Sequence, residues 1–176
     1  MCKMYKRAFT LIELLIVIAI IAIIASVIFV ALDPLTRFQD SRDSVRWQEA
    51  SELMTAIKID QVDNGGAYLP AITAMDESEW YMIVDGAMDT GCDDHDGEIG
   101  IDCDIDGSTN CVDLAGLVSE GYIGDVPVSP VGIVTWDDGN VDGDEGTGYA
   151  MMVLPTGAVF IQACESENSS EIIIVR

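Results

Sequence analysis

The amino-acid sequence predicts an α+β fold in which a long N-terminal helix packs on a small antiparallel sheet. An apolar run occupies residues 9–32, and its only charge is Glu13. A loosely amphipathic stretch follows from about 36 to 62, with apolar residues at helical spacing. The last third of the chain carries short β-branched runs separated by turn residues. One long helix followed by strands predicts a helical spine against a compact α+β head.

The apolar run is long enough to cross a membrane. Its 24 residues would form a helix of about 36 Å, against about 30 Å for a hydrocarbon core. Lys3, Lys6 and Arg7 precede it, and the acidic bulk of the chain follows. The positive-inside rule then predicts a cytoplasmic N-terminus and an exported head. A signal peptide is the alternative, but its apolar region spans only about 7–15 residues and ends at a small-x-small site.

Residues 9–17 read Phe-Thr-Leu-Ile-Glu-Leu-Leu-Ile-Val and follow a short basic segment. This stretch resembles the N-terminus of the type IV pilins and pseudopilins. The resemblance implies that a membrane prepilin peptidase cuts between Ala8 and Phe9 and methylates the new amino group. It also implies that Glu13 neutralises the methylated amine of a neighbouring copy in a filament. Ala8 departs from the family pattern, which almost always has Gly before the cut.

Glu13 is expected to need a partner. A carboxylate at the bilayer centre costs about 2.5–3.5 kcal/mol on insertion scales, and less toward the interface. We expect the helix to offer no partner of its own, so the partner would belong to another copy of the chain.

Two sequence signals interrupt or end the predicted long helix. Asp33-Pro34 interrupts it, because the residue before proline disfavours helical geometry. Residues 64–66, Asn-Gly-Gly, end it in the manner of a C′ glycine. The predicted segments are a leader (1–8), a membrane-spanning half-helix (9–32), an amphipathic half-helix (33–64) and an α+β head (65–176).

The head contains several predicted short elements. Residues 78–81 are expected to form one helical turn within a connecting region, and residues 89–113 a long acidic loop. The remaining expectations are a helix over 114–121, a strand over 133–136, a hairpin of 149–154 with 158–163, and a last strand over 172–175.

Basic residues of the exported part are concentrated in the amphipathic half-helix. Arg37, Arg42, Arg46 and Lys58 lie there, and Arg176 ends the chain. Two interpretations stay open for the four helical residues. They form a solvated helix face, or they pair with the acidic head of a neighbouring subunit.

The chain is strongly acidic, with a net charge of −23 from 8 basic and 31 acidic residues. Between residues 59 and 175 there is no Lys or Arg, against 25 acids. Such a surface repels phosphate backbones, which argues against nucleic acid as a partner of the head, and it favours multivalent cations.

Four cysteines belong to the predicted exported part: Cys92, Cys103, Cys111 and Cys164. An even number in an exported domain predicts two disulfides, and three pairings are available. We favour Cys92–Cys103 with Cys111–Cys164, because the first closes a short loop and the second ties this region to the sheet. Zinc is the weaker alternative, since no C-x-x-C spacing is present and His95 is the only histidine.

A twelve-residue stretch, 102–113, has the ligand spacing of a calcium loop. EF-hand loops supply oxygens from positions 1, 3, 5, 7, 9 and 12, with Gly at position 6. Gly107 takes that sixth place, and a predicted helix follows. The pattern resembles the loop of dockerin modules, although no helix precedes it, and a solvated acidic loop is the alternative. The predicted Ca²⁺ ligands are Asp102, Asp104, Asp106, Ser108 through its carbonyl, Asn110 and Asp113.

No catalytic constellation stands out in the sequence, so we expect a structural protein and not an enzyme. The pilin resemblance implies a subunit of a cell-surface type IV pilus or pseudopilus. Its partners would be other copies of the chain, the prepilin peptidase, the inner-membrane assembly machinery and, before assembly, the membrane. The alternative is a minor or tip subunit, or a membrane-anchored calcium-dependent adhesin. An acid-type glycan hydrolase tethered to the membrane is a third and weaker hypothesis, because acidic pairs occur throughout the chain and single out no site.

Overall fold

The computed structural model describes residues 9–86, 92, 103, 105, 109–132, 136 and 146–176. The chain divides into two compact units, Met1–Phe38 and Gln39–Arg176. The first unit contains the apolar helix, and the second contains the sheet with most of the amphipathic helix.

Helix α1 spans Leu11–Leu32 and is apolar around its whole circumference. Thr10 is its N-cap residue, and Asp33 ends it in the left-handed region, with φ 37° and ψ 73°. Aspartate tolerates this conformation better than most residues, because its short side chain can hydrogen-bond locally. Here Asp33 Oδ2 accepts a hydrogen bond from Thr36 Oγ1 at 2.8 Å. The next helix begins at Pro34, so the break lies at the Asp33-Pro34 step.

Helix α2 spans Pro34–Asp63, and one of its faces enters the core of the second unit. Most of the predicted apolar stripe is completely buried: Ala50, Leu53, Met54 and Ile57. Two further apolar residues of the predicted amphipathic stretch lie outside the buried face and remain 40% and 76% exposed, Val45 and Val62.

Five strands form the sheet, in the order β2-β1-β3-β4-β5. The pair β1–β2 is parallel, and the other three pairs are antiparallel. Two short helices complete the head, α3 Pro70–Thr73 and α4 Ala115–Ser119. The strands are β1 Tyr81–Val84, β2 Cys111–Asp113, β3 Tyr149–Val153, β4 Val159–Ala163 and β5 Ile173–Val175.

The predicted α+β layout is confirmed, including the hairpin of β3 and β4. The hairpin turn contains Gly157 at φ +80°, a conformation that glycine adopts without strain. The predicted helical turn over 78–81 is wrong, because Tyr81 begins strand β1. Strand β2 was assigned to the acidic loop, and its parallel pairing with β1 was not predicted. Of the strand expected over 133–136, only Trp136 is described, so that prediction lies outside the described residues.

Both faces of the interior strand β1 are covered. Ile83 belongs to a main core cluster shared with α2, whereas Met82 and Val84 belong to a second cluster. This alternation is the period of two that a strand buried on both faces requires. The second cluster contains Met82, Val84, Cys92, Cys103, Ile105, Trp136, Ala150 and Cys164.

Candidate assembly site and buried ion cluster

The first turn of α1 is closed by a reciprocal pair of hydrogen bonds between Thr10 and Glu13. Thr10 Oγ1 accepts from the Glu13 backbone N–H at 3.3 Å, and the Thr10 backbone N–H donates to Glu13 Oε2 at 2.9 Å. The Thr10 hydroxyl also donates to Glu13 Oε2 at 2.8 Å. This is a capping box, which satisfies two backbone donors that a helix N-terminus otherwise leaves free. The expectation that the helix offers Glu13 no partner of its own is therefore wrong.

The surface of α1 is otherwise apolar and uncovered within its own unit. None of its residues is buried, and large side chains such as Leu11 and Val30 are 82% and 81% exposed. The Ser26 hydroxyl donates a hydrogen bond to the Ile23 carbonyl of the same helix at 2.8 Å, so its polar group is satisfied within α1. Among the described residues, one helical stretch, Leu11–Asp63, contains a segment long and apolar enough to cross a membrane. A helix that is apolar all round requires lipid or other apolar helices around it.

The predicted cleavage site is described on one side only. Phe9 is 81% exposed, immediately before the Thr10 cap. Ala8 lies outside the described residues, so cleavage between them stays a prediction.

Two disulfides are present, as predicted, but their pairing differs from the one we favoured. Cys92 is bonded to Cys111 and Cys103 to Cys164, with Cα–Cα distances of 5.4 and 4.7 Å. The order of the strands explains the difference. Cys111 begins edge strand β2 and Cys164 follows β4, and two strands lie between β2 and β4. Three strand spacings separate these cysteines by about 14 Å, and a disulfide requires Cα atoms closer than about 7 Å.

The predicted calcium ligands are only partly described. Asp102, Asp104, Asp106 and Ser108 lie outside the described residues. Asp113 Oδ1 accepts backbone N–H groups from Gly86 at 3.0 Å and Ala115 at 2.8 Å, and Asn110 Nδ2 donates to the Trp80 carbonyl at 3.4 Å. Within the described part of the chain, no group of three or more His, Cys, Asp and Glu side chains is arranged to hold a metal. The calcium site therefore stays a prediction.

A fully buried arginine, Arg46, lies where α2 meets the C-terminal part of the head. A guanidinium has five N–H donors, and Arg46 makes five hydrogen bonds. Its carboxylate acceptors are Asp43 at 2.9 Å, Glu167 at 2.8 Å and Glu165 at 3.1 Å. Nε donates to Ser129 Oγ at 3.0 Å, and Nη2 donates to the carbonyl of the residue after Ser129, Pro130, at 2.9 Å. We call this arginine and its three carboxylates the Arg46 cluster.

Asp43 connects the Arg46 cluster to the backbone of the C-terminal segment. Its oxygens accept N–H groups from Glu167 at 3.1 Å, Asn168 at 2.8 Å and Ser169 at 2.8 Å. Burial alone would raise the pKa of Asp43, but these three N–H groups and Arg46 outweigh it and hold the pKa below its ordinary value. The segment that follows β4 is thereby fixed to α2.

Glu167 is bonded by two arginines. Both Nε and Nη2 of Arg42 donate to its carboxylate, in addition to Arg46. The hydrogen bonds from Arg42 lower the pKa of Glu167, and Arg46 adds to that effect against the opposing influence of burial.

Neither interpretation of the basic residues of α2 holds for Arg42 and Arg46. Arg46 is buried, and both arginines pair with acids of their own chain. A signal was present in the sequence: Arg46 shares helical spacing with Ala50, Leu53 and Ile57, so periodicity places it on the buried face. An arginine at a core position predicts buried acceptors, because an unpaired buried charge is too costly.

A second buried polar contact lies beside the Arg46 cluster. The hydroxyl of the completely buried Tyr149 donates to Glu49 Oε2. Burial raises the pKa of Glu49, partly offset by this hydrogen bond. Burial, together with the neighbouring Glu49, also raises the pKa of Tyr149, so its hydroxyl remains a donor.

The comparison with protein families gives a match at the N-terminus. Residues 3–29 match the prokaryotic N-terminal methylation motif. This match includes the predicted cleavage site and most of α1, and it supports the type IV pilin and pseudopilin family. A motif of this family indicates a structural subunit and not an enzyme. The searches of curated proteins and of solved structures found no match.

We expect the stability of the head to fall in acid. Asp43 and Glu167 have folded-state pKa values below their unfolded values, so their contribution is complete above about pH 4.3 and is lost as the pH falls through the folded values. Glu49 opposes this loss: because its folded-state pKa is raised, its contribution to the free energy of unfolding increases as the pH falls. Chemical unfolding of the full chain in detergent, followed by tryptophan fluorescence between pH 7 and pH 2, measures this. A free energy of unfolding that does not decrease below pH 4 would contradict the expectation.

Removing the buried arginine should destabilise the head strongly. Arg46→Met leaves Glu165 and Asp43 buried without their guanidinium, and breaking a buried pair in this way costs about 3–5 kcal/mol. Urea unfolding at pH 7 measures the loss. The control is Arg37→Met, because Arg37 is exposed and its substitution should cost less than about 1 kcal/mol. Equal losses in the two variants would show that the Arg46 cluster does not hold the head together.

Proposed function

We propose that this chain is a structural subunit of a cell-surface type IV pilus or of a secretion pseudopilus, processed by a prepilin peptidase and polymerised through α1. The observation that carries this proposal is the match of residues 3–29 to the methylation motif. The helix on which this motif lies has an apolar surface that is exposed on every side. In the membrane, lipid covers that surface. In a filament, the α1 helices of other copies replace the lipid.

In this proposal Glu13 changes its partner during assembly. In the single chain Glu13 completes the capping box with Thr10. Cleavage before Phe9 creates a positively charged amine, which must be neutralised when helices bundle away from water. The carboxylate of a neighbouring copy supplies that neutralisation. The capping box keeps Glu13 at the helix terminus, where its charge is closest to the interface and least costly.

Processing is the direct test of the proposal. We expect mature protein that begins at Phe9 and carries an N-methyl group, as measured by intact mass spectrometry of the native protein. Protein from cells that lack the peptidase is the control and should retain residues 1–8. A full-length mass in cells with an active peptidase would overturn the proposal.

Glu13→Ala should abolish filament assembly and leave membrane insertion intact. The substitution removes a charge from the apolar run, so insertion should be at least as favourable. It also leaves the neighbour's amine without a counter-charge. Filaments are counted by electron microscopy after shearing, and insertion is measured by membrane fractionation. Glu13→Asp is the control that keeps the charge, and it should assemble better than the Ala variant. Wild-type filament numbers from Glu13→Ala would refute the role of Glu13.

The proposal also includes one Ca²⁺ in the head, held by residues 102–113. The alternating pattern of this stretch supports it: Cys103 and Ile105 are buried in the second core cluster, and the proposed ligands occupy positions before, between and after them. Asp113 Oδ1 already accepts two N–H groups, so Ca²⁺ would bind Oδ2. The ion would compensate the charge of four carboxylates in one loop.

Calcium should raise the melting temperature of the protein, and chelator should lower it. A ligand that binds only the folded state adds about 2.7 kcal/mol at a hundredfold excess over its Kd, and extracellular calcium modules bind at about 10⁻⁴–10⁻³ M. Thermal unfolding in millimolar calcium is therefore the suitable assay. Asp106→Ala should remove the shift, whereas Asp142→Ala, which lies outside the stretch 102–113, should retain most of it. Identical shifts in the two variants, or no effect of chelator on the wild type, would place calcium elsewhere or exclude it.

A further inference from the structure

The side of α2 opposite the core is a second uncovered surface, and it differs in kind from that of α1. Its residues lie on one side of the helix within the second unit. Three are large apolar side chains that remain exposed: Trp47 at 42%, Ile59 at 45% and Val62 at 76%. Polar side chains alternate with them, in contrast to α1. We define the outer face of α2 as Trp47, Ser51, Thr55, Lys58, Ile59 and Val62.

The outer face of α2 carries little negative charge in a chain that is otherwise strongly acidic. Residues 59–175 contain 25 acids and no Lys or Arg. The six residues of the outer face include no acid, and one carboxylate beside them, that of Glu52, lines the shallow groove with Trp47, Ser51 and Thr55. Copies of this chain repel one another through most of their exported surface. The outer face is a part of that surface where two copies can approach with less like-charge repulsion.

Lys58 gives this face a positive charge that no carboxylate among the described residues contacts. Its ammonium group donates to Tyr68 Oη at 2.8 Å and to Gln61 Oε1 at 3.3 Å, and it lies 5.1 Å from the centre of the Tyr68 ring. These partners are uncharged. Two arginines of the same helix differ from Lys58 in this respect. Arg42 bonds to Glu167, and Arg46 bonds to both Glu165 and Glu167. Lys58 is therefore positioned to attract the acidic surface of another molecule.

We propose that the outer face of α2 is an interface with a second copy of this chain in the assembled filament, with Trp47, Ile59 and Val62 buried and Lys58 paired to a carboxylate of that copy. This inference rests on the proposed function. A mixture of exposed aromatic, aliphatic and polar side chains is the composition of a protein interface and not of a lipid-facing surface.

Chain connectivity favours another copy of this chain as the partner that covers the outer face of α2. Asp33 is the single residue between α1 and α2. When α1 helices bundle, each α2 is held at high local concentration beside those of neighbouring copies, so a modest patch suffices for binding. The strong negative charge that a partner must present to Lys58 is a property of this chain's own head.

Charge substitutions at the exposed Val62 and the half-buried Lys58 test the proposal, since neither residue belongs to the buried core. Val62→Glu and Lys58→Glu should each reduce the number of sheared filaments about tenfold or more. Thr156→Glu is the matched control, because Thr156 is exposed at the β3–β4 turn and outside the face. It should assemble like the wild type. Melting temperature and formation of both disulfides verify that each variant is folded.

Photo-crosslinking identifies the molecule that contacts the outer face of α2. A photoreactive amino acid in place of Trp47 should produce a covalent homodimer in purified filaments and not in cells that lack the assembly machinery. Wild-type filament numbers from Val62→Glu and Lys58→Glu overturn the proposal. So does crosslinking to lipid, to another protein, or to nothing in intact filaments. Absence of filaments from the wild-type protein would instead overturn the proposed function, so the two failures are distinguishable.

Discussion

No other described residue of its own unit covers the apolar surface of α1, and this constraint limits the environments in which the chain can be stable. None of its 22 residues is buried, so the helix is stable only where lipid or other apolar helices cover it. The two environments are interchangeable for Leu, Ile and Val side chains, which are as apolar as lipid tails. In the proposed assembly, a subunit would therefore leave the membrane and enter a bundle without a large change in the environment of α1. What distinguishes the two states is the polar end of the helix, where Thr10 and Glu13 lie.

Helix α2 organises the second unit. Its buried face supplies Leu53, Met54 and Ile57 to the main core, and a charged position on the same face, Arg46, binds the segment after β4. The five donors of Arg46 reach acceptors from three parts of the chain: α2 itself, residues 129–130 and residues 165–167. Packing space there is closely occupied, since a Cβ added at Gly132 would lie 2.2 Å from Glu165 Oε1 and 2.9 Å from Arg46 Nη2.

Much of the architecture could be predicted because it depends on local chemistry. The apolar run, the break at Asp33-Pro34 and the β3–β4 hairpin each have a signal within a few residues. The edge strand β2 had none: it is three residues long and pairs in parallel with β1 across a separation of about thirty residues. Missing that strand also led to the wrong disulfide pairing, because the position of Cys111 depends on it. The capping box does have a local signal, because Thr10 and Glu13 stand three residues apart at the start of the helix. The cost of a carboxylate in a membrane predicts a partner for Glu13, but it does not predict that the backbone of the first turn is that partner.

The Arg46 cluster raises the question of why an acidic head buries charge at all. Replacing a buried ion pair by well-packed apolar residues is often neutral or even stabilising, so the cluster is not needed for stability alone. Apolar contacts, however, are non-directional and would permit the segment after β4 to shift along α2. Five hydrogen bonds from one planar group permit one arrangement only. Asp43 adds three backbone N–H groups of residues 167–169 to that arrangement. Strand β5 begins at Ile173, shortly after this segment. The cluster therefore fixes the chain that leads into the last strand to α2.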